Sequence, residues 1–562
     1  MIYEREADFE EAVIAVLKQH GWDDAGGVLK YPTEADLIQN WADILFRNNA
    51  DIDRLNGCPL TRSEMDQVIE QVETLKTPLA LNGFINGKTV AVKRDNPDDK
   101  RHLGKEISLK IYDRREIAGG KSRYQIAQQP VYSAKNKILN DRRGDLCLLI
   151  NGMPVIHIEL KRSGVSASQA CNQIEKYAHE GVFSGIFRLV QIFVAMNPDD
   201  AVYFANPGTG KFNPSYYFHW ADFNNERLCA GTNPNADDWK RFTAKLLSIP
   251  MAHQLIGFYT VADSGDGCLK VLRSYQYYAA SAISDRVRTC DWNAPTPAGT
   301  PGRPGGYVWH TTGSGKTMTS FKSAQLIADS QDADKVVFLM DRIELGTQSL
   351  KEYRAFADDE DDVQATENTD VLRYKLVQSA DPKDTLIVTS IQKMSRVKAG
   401  EGGVTQAELD RMAEKRVVFI LDECHRSTFG GMLQDIRRSF PNALFFGFTG
   451  TPIQVENQKK GSTTSMIFGD CLHRYSIADG IRDGNVLGFD PYMVTTYRDR
   501  DVRQAVALEQ AKAESVEDAA ADSKKRRVFY YFMDTASMGP LVDGAGERVK
   551  GVEDFLKSAQ YA

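Results

Sequence analysis

The architecture of the chain is set by eleven residues, Tyr307-Val308-Trp309-His310-Thr311-Thr312-Gly313-Ser314-Gly315-Lys316-Thr317. The first four favour a β-strand, and a helical segment is expected from about 317 to 329. A glycine-rich loop between a strand and a helix presents backbone N–H groups and a helix N-terminus to phosphate. We therefore predict a nucleotide site lined by the loop from Thr312 to Gly315. Lys316 would reach the β- and γ-phosphates and Thr317 would bind Mg²⁺.

This match departs from the strict phosphate-loop pattern at one position. His310 stands where that pattern has glycine or alanine. The competing interpretation is a chance Gly-Ser-Gly-Lys-Thr in a solvent loop, which the preceding strand and following helix make the weaker one. A similar run, Gly208 to Lys211, is followed by Phe-Asn-Pro, where no helix can start, so we interpret it as an ordinary loop.

Short β-rich runs alternate with helical segments from 306 to 449, after a loop-like stretch from Asp291 to Gly306 that is rich in proline and glycine. This alternation is typical of a doubly wound, mostly parallel sheet. The predicted strands are Tyr307–Trp309, Val336–Met340, Leu386–Val388, Val417–Leu421 and Leu444–Phe446.

Two acidic residues follow the strand that ends at Leu421. Asp422 and Glu423 stand where an ATPase places its Mg²⁺-holding acid and its water-activating acid. The hydroxyl residues of Thr449-Gly450-Thr451 follow the next strand and could sense the γ-phosphate. Upstream, the side-chain amide of Gln276 could pair with adenine.

A second constellation lies between 145 and 177. Two β-rich runs flank Asn151-Gly152, which predicts a hairpin. Glu159 and Lys161 share one face of the second strand, and Asp145 precedes the first. Two adjacent carboxylates suit Mg²⁺, and a lysine beside them can orient the attacking water. The pattern predicts metal-assisted hydrolysis of a phosphodiester.

The register of this hairpin decides whether the residues meet. A two-residue turn alone would pair 145 with 158 and place Asp145 on the wrong face. A three-residue loop, or a bulge after the turn, pairs it with Glu159, and we predict that register.

Several neighbouring residues are further candidates. Gln173 and Tyr177 are four apart on a predicted helix and so share a face. Glu6 and Glu10 are four apart on a helix predicted from 3 to 18, and either could add a carboxylate or simply face solvent. His157 is interpreted as a hydrogen-bonded sheet histidine rather than a metal ligand. The competing interpretation of the whole set is a charged outer strand face.

Together the motifs resemble the first half of a superfamily 2 helicase. The longer strings resemble more narrowly the restriction (motor) subunit of type I restriction–modification enzymes. The resemblance spans about residues 5 to 490. It is carried by Tyr275-Gln276, Trp309–Thr317, Asp341-Arg342, Thr389–Gln392, Phe419–Ser427, Thr449–Pro452, Glu159-Leu160-Lys161 and Gln173-x-x-x-Tyr177.

The resemblance implies a PD-(D/E)xK endonuclease domain at 1–255, a mixed sheet with helices. A RecA-like translocase domain would occupy 256–490 and a charged segment 491–562. It implies ATP and Mg²⁺ as cofactors, and double-stranded DNA, methyltransferase subunits and specificity subunits as partners. Such motors need a second RecA-like domain. We find no match for it after 490, so we expect the sequence to be the N-terminal part of a longer protein.

Composition sets wider limits. The 562 residues are 42% hydrophobic and 26% charged, with a net charge of -7, as in ordinary globular proteins. The apolar runs are too short for a membrane-spanning helix, the N-terminus has no signal pattern, and the eight cysteines are scattered. A cytoplasmic protein without a membrane contact is expected.

Other functions stay open at this stage. A translocase or remodeller with a non-cleaving nuclease-like domain would not nick plasmid in Mg²⁺. A structural subunit with inactive sites would not bind ATP. A type III restriction subunit would carry its nuclease after the motor, whereas here the nuclease comes first.

Overall fold

The computed structural model describes residues 2–22, 27–87, 89–117, 120–132, 141–208, 210–230, 237–294, 302–340, 364–365, 369–379, 381, 384–398, 404–424, 429–454, 463–486, 499–537, 541–542 and 548–555. The chain divides into two compact units, Met1–Leu487 and Gly488–Ala562. The motif residues Asp341, Arg342 and His425 to Ser427 lie outside the described residues.

The N-terminal part of the first unit is built on a six-stranded mixed sheet in the order β1-β4-β7-β8-β9-β10. Its elements are α1 (Glu6–Gln19), β1 (Leu29–Lys30), α2 (Glu34–Asn48), α3 (Arg62–Thr74), α4 (Pro78–Asn86), β2 (Thr89–Lys93), β3 (Glu106–Lys110), β4 (Tyr124–Gln128), β5 (Val131–Tyr132), β6 (Arg142–Arg143), β7 (Leu146–Ile150), β8 (Met153–Leu160), α5 (Ala167–His179), β9 (Ile192–Met196), β10 (Ala201–Ala205), α6 (Asp238–Leu246), α7 (Met251–Gly257), β11 (Thr260–Asp263) and β12 (Cys268–Val271).

The hairpin of β7 and β8 has the predicted irregularity. Asn151 and Gly152 form a two-residue turn with φ values of 52° and 83°, so Ile150 pairs with Met153. The register shifts by one residue between Leu148 and Leu149, so that Leu146 pairs with Ile158. Extended by one residue, this register sets Asp145 opposite Glu159, as expected for a bulge after the turn.

The rest of the first unit is a seven-stranded, wholly parallel sheet in the order β15-β16-β14-β17-β18-β13-β19. Its elements are α8 (Ser274–Arg288), β13 (Arg303–His310), α9 (Lys316–Ser330), β14 (Lys335–Met340), β15 (Gln364–Ala365), α10 (Thr369–Val377), β16 (Leu386–Ser390), α11 (Ile391–Met394), α12 (Gln406–Ala413), β17 (Val417–Leu421), α13 (Phe429–Ser439), β18 (Leu444–Thr449), α14 (Thr464–Phe468), β19 (Cys471–Tyr475) and α15 (Ile477–Arg482). A mixed sheet followed by a parallel, doubly wound sheet confirms the predicted fold class.

One boundary differs from the prediction. The loop expected to reach Gly306 ends earlier, because β13 already begins at Arg303 and pairs with β18 through Pro304. The pairing shifts between Pro304 and Gly306, which absorbs the proline in an irregular stretch of an inner strand.

The two sheets of the first unit share an apolar cluster. Tyr277 and Ala280 of α8, with Met318 and Leu326 of α9, pack with the large cluster built around the mixed sheet. Polar contacts add to this packing, because Arg114 reaches Asp329 at the end of α9 at 2.7 Å. The helix that follows the phosphate loop is therefore packed against the N-terminal part of the unit.

The second unit contains α16 (Asp499–Ala511), α17 (Val516–Ala521), α18 (Ser523–Met533), β20 (Leu541–Val542) and β21 (Arg548–Val549). Its charged, alanine-rich helices bury a small apolar core of their own, formed by Val502, Val506, Ala507, Ala511, Ala519, Phe529, Phe532 and Val552. Within the part of the chain that the structure describes, every helix is too short or too polar to span a bilayer.

A buried ion-pair cluster fixes the N-terminal β2–β3 region. Arg94 lies 2.5 Å from Glu64 and 3.0 Å from Asp99, and all three side chains are fully buried. The guanidinium also donates to the carbonyls of Cys58 and Pro59. Arg94 therefore supplies positive charge to both carboxylates, and Asp99 also lies 3.1 Å from His102 Nδ1.

Replacing Arg94 with alanine should lower the free energy of unfolding by about 3 to 5 kcal/mol, because two carboxylates would stay buried without a cation. The matched control is Arg416→Ala, which breaks a half-exposed pair with Asp334 and should cost at most about 1 kcal/mol. Urea unfolding followed by circular dichroism measures both. Equal losses for the two variants would contradict this account of the cluster.

Candidate active sites

The hairpin register brings three sequence-predicted residues together. Asp145 Oδ2 accepts a 2.6 Å hydrogen bond from the backbone N–H of Leu160, between Glu159 and Lys161. Lys161 Nζ lies 3.4 Å from Glu159 Oε1 and donates to the carbonyl of Leu160 at 2.8 Å. Glu159 is fully buried and Lys161 is 7% exposed. The arrangement gathers two carboxylates and one ammonium at the end of β8.

Burial keeps these carboxylates difficult to ionise. Burial, followed by the nearby Glu159 charge, raises the pKa of Asp145 well above its usual value. Burial raises the pKa of Glu159 from 4.5 to about 7, although Lys161 opposes the shift. Such a pair favours a neighbouring cation, since a positive charge between the two would relieve both.

The first helix contributes a further acid. Glu10 is 3% exposed, and its Oε1 accepts from Gln128 Nε2 at 2.6 Å. Burial raises the pKa of Glu10, and its charge in turn contributes to the raised pKa of Asp145. Glu6 is more exposed, with Oε1 3.8 Å from Lys161 Nζ. Glu10 therefore lies inside the cluster, whereas Glu6 lies at its edge.

Gln173 and Tyr177 occupy one face of α5, as predicted. Gln173 Nε2 donates to Tyr177 Oη at 2.7 Å, and Tyr177 donates to the carbonyl of Arg143 at 2.8 Å. Tyr177 is thereby tied to the segment that leads into Asp145, while Gln173 is half-buried at the rim.

The structure agrees only in part with the interpretation of His157 as a hydrogen-bonded sheet histidine. Its Nδ1 lies 3.0 Å from Tyr132 Oη, so that one ring nitrogen is paired inside the sheet. Its Nε2 lies 3.4 Å from Glu159 Oε2, and neither of these atoms has a hydrogen-bond partner among the described residues. Burial lowers the pKa of His157 to about 4. The alternation of β8 placed His157 and Glu159 on one face, but Tyr132 carried no sequence signal.

The fully buried carboxylate of Glu159 and the half-buried carboxylate of Asp145 fit one Mg²⁺, which takes one or two carboxylates and keeps several waters. The buried Glu159 Oε2, which has no hydrogen-bond partner in the described part of the chain, adds to this fit. Groups of three or more His, Cys, Asp or Glu side chains arranged for a metal are absent from the described residues, so a closed cage of protein ligands is not formed there.

The phosphate loop has the predicted strand–loop–helix geometry. Gly313 and Gly315 take positive φ values of 81° and 77°, which glycine adopts without strain. The helix begins at Lys316, directly after Gly315. Tyr275 Oη donates to the carbonyl of Ser314 at 2.7 Å and braces the loop from behind. Thr312, Gly313 and Gly315 are exposed at the surface, where a phosphate could approach.

The acids after β17 face this loop. Lys316 Nζ lies 3.6 Å from Glu423 Oε1. Asp422 Oδ1 accepts from the backbone N–H of Glu423, which has a φ of 48°, unusual for a residue other than glycine. Thr317 is half-buried at the start of α9. The ammonium of Lys316 and the carboxylate that follows β17 thus meet across one cleft.

The segment after β18 closes the cleft from another side. A Cβ on Gly450 would lie 3.2 Å from Thr312 Oγ1, so Gly450 packs close against the loop. Trp309 Nε1 donates to the carbonyl of Gly450, and Thr449 Oγ1 accepts from the N–H of Thr451. These contacts connect Thr449, Gly450 and Thr451 with the phosphate loop.

A cavity of about 290 Å³ adjoins the loop. Gln276 lines it, is 1% exposed and reaches the carbonyls of Ser314 and Gly315 at 3.4 and 3.3 Å. The mixed-sheet part of the unit supplies aromatic walls, among them Phe212, Tyr217 and Phe218.

Two protein families match separate parts of the chain. Residues 3–212 match the family described as the type I restriction enzyme R protein N terminus, and residues 275–527 match the SWI2/SNF2 ATPase family. The first match covers the mixed sheet and its carboxylates. The second covers the parallel sheet and its phosphate loop.

Curated relatives extend over most of the chain. The chain is 35% identical over 503 residues to the type I restriction enzyme SsaAORF53P endonuclease subunit of Staphylococcus saprophyticus, covering 89% of this chain and 48% of that protein. It is 33% identical over 504 residues to the SauCOLORF180P endonuclease subunit of Staphylococcus aureus strain COL, covering 90% and 49%. The chain spans about half the length of these relatives.

Over most of its length the chain is thus similar to endonuclease subunits of type I restriction enzymes, and its parallel-sheet region is similar to SWI2/SNF2 ATPases. This confirms the resemblance inferred from its motifs. Among solved structures, a fragment of an HsdR subunit of a type I restriction enzyme from Vibrio vulnificus YJ016 is 16% identical, with a TM-score of 0.25, covering 71% of this chain and 65% of that one.

The raised pKa of Glu159 predicts how stability depends on pH in the absence of metal. Between about pH 4.5 and 7 the folded state binds more protons than the unfolded state, so stability falls as the pH rises through this window. In chelator at pH 8, Glu159→Gln should therefore raise the free energy of unfolding by about 1 to 3 kcal/mol. At pH 4 the difference should vanish.

Thermal unfolding at the two pH values measures this effect. Glu70→Gln, on the exposed face of α3, is the matched control and should change neither transition. A lower unfolding midpoint for Glu159→Gln at pH 8 would show that the carboxylate is not repelled at this position.

Proposed function

We propose that the chain is the nuclease and first motor portion of a type I restriction subunit, which pulls duplex DNA with ATP and cuts both strands. The observation that carries this is the presence, in one compact unit, of the Asp145–Glu159–Lys161 cluster and of a phosphate loop facing Glu423. Hydrolysis of a phosphodiester and hydrolysis of a nucleoside triphosphate need these two sets of groups.

In the nuclease site, Asp145 and Glu159 would hold Mg²⁺. When bound, the ion would lower the pKa of a bound water and offset charge on the phosphodiester. Lys161 would orient the attacking water and balance negative charge. Glu10, held by Gln128, supplies further negative potential. Tyr177 and Gln173 would position the segment before Asp145, with Gln173 on the DNA side.

In the motor site, the loop from Thr312 to Gly315 would surround the β- and γ-phosphates with backbone N–H groups. Lys316 would offset their charge, while Thr317 and Asp422 would hold Mg²⁺. Glu423 would orient the attacking water, and in the free protein its carboxylate balances Lys316. Thr449, Gly450 and Thr451, packed against Thr312, would transmit the presence of the γ-phosphate.

The cavity beside the loop suits the base of the nucleotide. Aromatic walls allow stacking, and Gln276 is one of the polar groups that line the cavity. In the free protein its amide contacts loop carbonyls, so pairing with adenine would require these contacts to be exchanged.

Methyltransferase and specificity subunits are the proposed partners, since nothing in the chain resembles a base-reading module. A cytoplasmic location fits this role.

Lys316→Ala should weaken binding of a fluorescent ATP analogue roughly tenfold to a hundredfold, because a charge-assisted contact to phosphate is lost. Lys176→Ala, on the exposed face of α5, should bind as the wild type does. Circular dichroism checks that both variants fold. Undiminished binding by Lys316→Ala would place the nucleotide elsewhere.

Asp145→Asn and Lys161→Ala, introduced into the complete restriction enzyme, should abolish cleavage of plasmid and leave DNA-stimulated ATP hydrolysis intact. Gel analysis of plasmid and phosphate release measure the two activities. Asp51→Asn, on the exposed surface, is the control. Loss of both activities in a folded variant would defeat the assignment of separate sites. If the unaltered complete enzyme hydrolyses ATP but does not cleave plasmid, a translocase with a non-cleaving nuclease-like domain is favoured instead.

A further inference from the structure

A buried tyrosine–histidine pair lies directly behind the nuclease carboxylates. Tyr132 is 1% exposed and His157 is fully buried. Tyr132 Oη lies 3.0 Å from His157 Nδ1, and the opposite ring nitrogen of His157 lies 3.4 Å from Glu159 Oε2. The phenol of Tyr132, the imidazole of His157 and the carboxylate of Glu159 therefore follow one another in a row that ends at the site.

His157 Nε2 and Glu159 Oε2 face each other but do not form a hydrogen bond. His157 Nε2 and Glu159 Oε2 are both buried, and neither has a hydrogen-bond partner among the described residues. Leaving a buried polar atom unpaired is unfavourable, so such atoms call for an explanation. A ring N–H and a carboxylate oxygen are complementary, and a small rotation of the carboxylate would satisfy both.

The chain makes room for this pair at the position before Asp145. A Cβ on Gly144 would lie 2.7 Å from His157 Cε1 and 2.8 Å from Tyr132 Oη. Real Cβ atoms do not approach so closely, so a larger residue at 144 would displace the pair. The φ of Gly144 is not positive, which leaves close packing as the reason for glycine here. Three separate segments therefore meet behind one carboxylate.

The chemistry of the groups fixes the direction of each hydrogen bond. An ionised carboxylate only accepts, so His157 Nε2 must carry the ring proton that faces Glu159. A neutral imidazole has one such proton, so Nδ1 must accept, and Tyr132 must donate. The phenol thus selects the tautomer in which Nε2 is a donor.

We propose that Tyr132 and His157 are positioning residues that orient the Glu159 carboxylate for a divalent cation. Glu159 Oε1 already faces Lys161 Nζ at 3.4 Å, so a donor at Oε2 would hold the carboxylate from both oxygens. This proposal rests on the proposed nuclease function. It adds two residues that hold the metal-binding carboxylate in one orientation. The metal itself would be bound by Asp145 and Glu159.

The test measures binding of Mn²⁺ alone to the 562-residue chain, by electron paramagnetic resonance, and needs no cleavage. Asp145→Asn should remove the site. His157→Leu should weaken Mn²⁺ binding at least about tenfold, as loss of an outer partner of a metal ligand does. Tyr132→Phe, which keeps the ring, should weaken it less. Tyr112→Phe, which loses an equally buried hydrogen bond to the carbonyl of His253, should bind as the wild type does.

A rescue experiment separates positioning from packing. His157→Gln places an amide donor near Glu159 without needing a tautomer, so it should recover most of the affinity. Tyr132→Phe in that background should then have no further effect on Mn²⁺ binding. A purely structural role predicts instead that Tyr132→Phe costs the same in both backgrounds.

Two results would overturn the proposal, and they differ from each other. If the wild type binds Mn²⁺ through Asp145 while Tyr132→Phe and His157→Leu bind equally well, the positioning role is wrong and the nuclease function stands. If the folded wild type shows no Asp145-dependent Mn²⁺ site, the nuclease function fails together with it.

Discussion

The cluster of Asp145, Glu159 and Lys161 depends on one extra residue in the hairpin of β7 and β8. The tight turn at Asn151 and Gly152 starts β8 in a register that would send Asp145 to the opposite face from Glu159. The shift between Leu148 and Leu149 corrects this, and the hydrogen bond from Leu160 N–H to Asp145 then fixes the acid in place. Every residue of β8 is buried, so a slip of one residue would move His157 and Glu159 to the face that Ile156, Ile158 and Leu160 occupy.

Holding two carboxylates in this position is electrostatically unfavourable, and the rest of the fold must supply the free energy that offsets it. Lys161 compensates only in part, since Glu159 retains a pKa of about 7. The motor site is arranged oppositely, because Lys316 and Glu423 lie close enough to balance each other before any nucleotide is present. One site therefore requires a cation to be neutral, whereas the other would exchange an internal ion pair for one with phosphate.

Local patterns were sufficient for the fold class. Alternating β-rich and helical segments predicted the parallel sheet, and the glycine loop predicted the start of a helix near Lys316. Asn151-Gly152 predicted the turn. The bulge was predicted because Asp145 and Glu159 can lie on one face only if the register shifts by one residue. Glu10 was a candidate from the sequence, but the choice between Glu10 and Glu6 required the structure. The contributions of Tyr132 and Gly144 could not be predicted, because they depend on contacts between separate segments. The first four residues of β13, from Arg303 to Gly306, were assigned to a loop because Pro304, Gly305 and Gly306 are typical of loops. The roles of the site residues stay predictions.

The packing of α8 and α9 against the mixed sheet has a mechanical consequence. Parting the two sheets would expose Tyr277, Ala280, Met318 and Leu326 to water at about 25 cal/mol per Å² of apolar surface. The carboxylates of one sheet are therefore carried along with the phosphate loop of the other as a single body. If the motor grips DNA as proposed, its nuclease stays at a constant offset from that grip. The distance between the part of the unit that contacts DNA and the part that would cut it is then fixed by the packing inside the unit.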